Sequence, residues 1–186
     1  MSSSLNAYLV DLASLEQVIA SGRTELVPQI QQSWLNLAET PADRDESPDE
    51  SEPLLDAIVR QIILGVSEQH AGLYNESDPS LAWGLAMERI VNFLGERLET
   101  QYFRETRYSY LQAVQYVLPL VERGLPVSTP LDFGPLAAGY LRRDECRTIE
   151  IDLNHPEPVV RAGRDEFADW CEAAASEDLD LVAFWY

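Results

Sequence analysis

Arg104 and Arg107 stand among Tyr102, Phe103, Tyr108 and Tyr110 in the run 101–110. A guanidinium grips phosphate or carboxylate with a planar fork, and aromatic faces offer stacking surfaces for a ring. Arg104, Arg107, Tyr108 and Tyr110 are therefore the candidate ligand-binding residues, with His70 as an outlying companion. The structural alternative is that aromatics at a helix start pack on neighbours while both arginines pair with internal acids. His70 lies near Glu68 and Glu76, and imidazole with carboxylates suits zinc or manganese. The helical spacing of a zinc-hydrolase motif is missing, so the segment reads as an ordinary loop and no metal is expected. His155, between Asn154 and Pro156, belongs to a turn at 152–157. Cys146 and Cys171 fall on separate predicted helices and read as free, mostly buried thiols. For either to act as a nucleophile it would have to meet a histidine in space.

Several reactions are ruled out by composition. All thirteen basic residues are arginine and the chain has no lysine. Schiff-base chemistry, pyridoxal phosphate attachment and a phosphate-loop lysine are thereby excluded. No serine sits in a nucleophile-elbow pattern, and the glycines are too sparse for a dinucleotide loop. No cofactor is expected, and the balance tilts away from an enzyme.

The acidic residues carry the stronger signal. Thirty-two aspartates and glutamates leave a formal charge of −19 on 186 residues. That field opposes DNA, RNA and anionic lipid and favours a cationic partner. The charge is patchy: 38–53 and 164–180 each hold seven acids against one arginine, whereas 86–123 is balanced. Asp43, Asp45, Glu46, Asp49, Glu50, Asp165 and Asp169 are the candidate protein-docking residues. Asp43, Asp45 and Asp49 alternate rather like a calcium loop, but Pro48 and Leu54 occupy the positions that need glycine and glutamate. Asp165 and Asp169 share a helix face, a pairing that a solvated surface also explains. The expected function is a non-enzymatic interaction module with a basic protein partner, for example an immunity-type protein masking a basic toxin or nuclease. The competing reading is a small enzyme or ligand-binding domain with a dispersed site near Arg104, Arg107 and Tyr108.

These residues need elements to place them. The pattern predicts an α+β domain over 1–186, dominated by helices, with a small sheet that pairs the N-terminal run 8–11 with the C-terminal run 179–186. Helices are expected from a cap at Asp11 or Ser14 to Gly22, from Thr24 through Leu37, and over 54–64, where apolar doublets recur every four residues. A further helix should start at Pro79 and bury Leu81, Leu85, Ile90, Leu94 and Leu98, leaving Glu88, Arg89 and Glu96 elsewhere on its circumference. Another is expected over 106–122, with Pro119 as a kink or a last turn, and a final one over 164–176. Residues 146–153 fit helix or strand equally. The acidic, proline-containing 38–53 reads as a mobile surface loop. No apolar run spans a bilayer and no basic leader precedes one, so a cytoplasmic location is expected.

The opening Tyr8-Leu9-Val10-Asp11-Leu12, the Gly139-Tyr140-Leu141 run before Asp144-Glu145, and the closing Phe167-Ala168-Asp169-Trp170 helix before Leu181–Tyr186 resemble the YfbM-like bacterial proteins of unknown function. The resemblance covers about a third of the chain. It implies a mostly helical α+β domain with a small sheet and carries no activity across.

Overall fold

The computed structural model describes residues 5–37, 52–66, 79–103, 114–127 and 138–185. Among them are four strands, β1 (Leu5–Val10), β2 (Glu96–Arg97), β3 (Ala138–Leu141) and β4 (Asp180–Trp185). The α-helices are α1 (Leu12–Val18), α2 (Val27–Leu37), α3 (Glu52–Leu64), α4 (Pro79–Leu94), α5 (Val117–Glu122), α6 (Arg143–Thr148) and α7 (Pro158–Glu177). The fold is the helix-rich α+β class expected, and its sheet contains both terminal strands. The chain divides into two compact units.

The first unit holds the sheet and comprises Met1–Leu12, Gly95–Pro126 and Pro135–Tyr186. Its strand order is β2-β1-β4-β3, antiparallel throughout. β1 and β4 pair along their whole length, from Leu5 opposite Trp185 to Val10 opposite Asp180. This register puts Leu5, Ala7, Leu9, Leu181 and Ala183 on one face, where they join Phe103, Val117, Val121, Phe167, Trp170 and Ala174 in a core. On the other face Tyr8, Val10, Val182 and Phe184 are fully buried as well. Tyr8 and Phe184 meet edge to face, 6.1 Å between centroids.

The second unit is Ala13–Leu94 with Val127–Gly134, and its described elements are all helices. Pro28 lies in the first turn of α2, where a missing N–H costs little. α3 buries Leu55, Ile58, Val59, Ile62 and Ile63 and stops before Gly65, as expected. Two of its last carbonyls, on Ile62 and Ile63, accept the N–H groups of Ala20 and Gly22, at 3.0 and 2.9 Å.

Four expectations need correction. The buried face of α4 is Ala82, Trp83, Ala86, Met87, Ile90 and Val91, and both Glu88 and Arg89 are buried with it. Arg89 reaches a place inside because Asp56 of α3 lies 3.6 Å from its guanidinium and the Trp34 ring of α2 lies beneath it at 5.2 Å. α4 ends at Leu94, and Glu96–Arg97 pair with Leu9 and Tyr8 as β2 in place of a further helical turn. Val114 is helical, Gln115 interrupts the chain with a left-handed φ of 49°, and α5 opens at Val117, so Pro119 sits in a first turn and not a last one; residues 106–113 of the expected helix lie outside the described residues. Residues 146–153 form neither one helix nor a strand: α6 stops at Thr148, and Ile149 and Ile151 then pack on the core from an extended segment without a strand partner.

Candidate functional site

α7 organises the acidic residues of the sheet unit. It starts with Pro158 at its first position, and Asp178 closes it in a left-handed conformation, φ 58°, donating its N–H to the Ala174 carbonyl. Val160, Gly163, Arg164, Phe167, Trp170, Cys171 and Ala174 form its buried stripe. Ala162, Asp165, Glu166 and Asp169 lie beside that stripe at helical spacing and line a second, polar face.

The segment 99–103 lies along this face. Gly163 permits the approach, since a Cβ there would stand 2.5 Å from the Tyr102 ring. Phe103 plugs into the core against Trp170, with centroids 5.2 Å apart, and Trp170 Nε1 donates to the Glu99 carbonyl at 3.4 Å. Glu166 Oε2 accepts the backbone N–H groups of Tyr102 at 2.6 Å and Gln101 at 3.2 Å. Burial nonetheless pushes the Glu166 carboxyl above its ordinary value, and the negative charge of Asp169 adds to this, outweighing the amide hydrogen bonds that favour the anion.

Between the helix and the segment lies a cleft of about 680 Å³, lined by Glu99, Gln101, Tyr102, Asp165, Glu166, Asp169 and Trp170. Among the described residues its lining carries carboxylates and aromatic surface but no basic side chain. Such a site suits an arginine or lysine side chain, whose apolar stem would lie on the rings while its head met the carboxylates.

Of the candidate docking residues, Asp165 and Asp169 come together here. Asp43, Asp45, Glu46, Asp49 and Glu50 lie outside the described residues, as do Arg104, Arg107, Tyr108, Tyr110 and His70. His155 stays in its turn, where Nδ1 accepts the Glu157 N–H at 3.2 Å. Glu99 and Glu166 were missed as members of one site. The signal for Glu166 was legible, because 162, 165, 166 and 169 mark one face of a helix. Glu99 joins from a segment more than sixty residues away in sequence, which no local pattern reports. Among the described residues no group of three or more histidine, cysteine or acidic side chains is placed to hold a metal ion. No helix among them is long and apolar enough to cross a membrane.

No curated protein and no solved structure matches the chain. These comparisons add no support for a relationship to the YfbM-like proteins. A family model does match, over residues 1–186, and its description is a domain of unknown function. The chain belongs to that family, DUF7691.

Proposed function

We propose that this protein is an interaction module that receives a basic side chain of a protein partner in the acidic cleft beside α7. The observation that carries this reading is the cleft itself: Glu99, Asp165, Glu166 and Asp169 surround Tyr102 and Trp170. The overall charge of −19 supports it, since a field of that sign speeds encounter with a basic surface. The cleft then supplies the specific contact that a diffuse field lacks.

A titration with short arginine-containing peptides, followed by calorimetry, tests the reading. Exposed carboxylates contribute about 0.7 kcal/mol each to such contacts, so Asp165→Asn with Asp169→Asn should weaken binding about tenfold. Binding should also weaken as the solution is made more acidic, because Glu166 takes its proton at a higher pH than an ordinary glutamate. Arg104→Ala with Arg107→Ala should leave affinity unchanged. Equal binding by the Asp165/Asp169 variant, or loss of binding in the arginine variant, would reject the cleft as the docking site.

A further inference from the structure

Cys146 and Cys171 stand 25 positions apart in sequence and on different helices, yet the structure places them as neighbours at the wall of one pocket. Both are free and buried, 6% and 3% exposed. They nevertheless form part of the wall of a pocket of about 380 Å³, whose other walls include Ile149, Ile151, Leu153 and Ala168. Leu153 is 41% exposed, so the rim of this pocket reaches solvent. Two buried cysteines in a core ordinarily act as small hydrophobes. A neighbouring pair at the wall of one pocket is a different arrangement, because it offers a small reagent a nucleophile and a second sulfur to complete the reaction.

We propose that Cys146 and Cys171 form a reversible dithiol–disulfide pair, oxidised by small uncharged hydroperoxides that enter through this pocket. The roles of the two sulfurs are unequal. The neighbouring Cys171 holds the Cys146 thiol below its ordinary value, while Cys146 and burial push the Cys171 thiol up. Cys146 is thus the attacking thiolate and Cys171 the resolving thiol. In the first step the Cys146 sulfur attacks one peroxide oxygen and the O–O bond breaks. Sulfur loses two electrons to become a sulfenic acid, and the departing oxygen takes a proton and leaves as water (or as an alcohol from an organic hydroperoxide). In the second step the Cys171 sulfur attacks the Cys146 sulfur. The S–S bond forms and the sulfenic oxygen departs as water with the Cys171 proton. A dithiol reductant reverses the change by exchange.

The choice of oxidant follows from charge. Glutathione disulfide is an anion, and a protein of charge −19 repels it. A hydroperoxide carries no charge, and walls that are mostly apolar, with Arg147 and Glu172 among them, do not exclude it.

The test is exposure of the native protein to hydrogen peroxide, followed by alkylation, intact mass and peptide mapping. The expected product is about 2 Da lighter, has no alkylatable thiol, carries a 146–171 cross-link and returns to the dithiol with dithiothreitol. Glutathione disulfide at equal concentration should give neither the cross-link nor a glutathione adduct. Cys171→Ser should yield a sulfenic acid at Cys146 that dimedone traps, at least tenfold faster than any trapping in Cys146→Ser. The proposal is overturned if the folded protein keeps both thiols at peroxide concentrations that oxidise the urea-unfolded chain. Bridges that form only between molecules would also overturn it. Should either serine variant fail to fold, the mapping of the native chain decides alone.

Discussion

At the residue scale, a buried carboxylate, Asp180 at the start of β4, lies at the centre of a charge cluster. Its side chain is 3% exposed and accepts the Leu12 N–H at 3.1 Å and the Arg143 N–H at 2.9 Å, together with the Arg143 guanidinium. Arg143 in turn reaches Asp11 at 3.0 Å and Asp178 at 3.2 Å. One carboxylate thus joins the start of α1, the start of α6 and the start of β4. Burial alone would raise its pKa, but the Arg143 side chain and the two amides hold it below its ordinary 3.8. The contribution to stability is therefore fully present above that ordinary value and is lost as pH falls through the lower folded value. Asp180→Ala should cost about 3 kcal/mol in urea unfolding at neutral pH, since it strands a partly buried arginine and two amides. The difference between variant and parent should shrink in strong acid, and a constant difference across pH would show that the charge is not the cause.

At the element scale, α5 lies backbone to backbone against β3. Gly139 pairs with Ala183 and also bridges Gly124, and a Cβ at this position would collide with the Leu120 carbonyl oxygen. Backbone lies against backbone, so no side-chain rotation relieves the clash. Gly139→Ala should destabilise the protein by about 3 kcal/mol, whereas Gly124→Ala meets no atom and is limited to the cost of its left-handed φ of 77°. Thermal unfolding of the two variants checks the ranking. Elements marked by a local pattern were legible beforehand: the doublets of α3 and the two terminal runs that became β1 and β4. β2 was not, because two residues carry no period and its pairing depends wholly on β1. The burial of Glu88 and Arg89 was hidden for a related reason. Their polarity points outward until Asp56 and Trp34 are brought up from other helices.

At the scale of the whole molecule, charge dominates. With 32 acids against 13 arginines, self-repulsion opposes the compact state. The pairs that offset it, such as Arg143 with Asp180, are partly buried and screened less than the exposed excess. Raising the salt from about 0.01 M to about 0.5 M should therefore stabilise the protein by about 1 kcal/mol, a rise in Tm of roughly 2–4 °C for a chain of this size. A fall in Tm would mean that the ion pairs outweigh the repulsion. By itself the sequence determined the charge and its sign, the helix-rich α+β class, the pairing of the two terminal strands and the unbridged cysteines. Each of these follows from composition or from a period repeated over neighbouring residues. Tertiary structure alone decided that Glu99 meets Asp165, Glu166 and Asp169, that Cys146 meets Cys171, and that Asp180 gathers Arg143. Those groups come from segments tens of residues apart, and their meeting is set by sheet register and by which helix faces bury together, which local patterning does not encode.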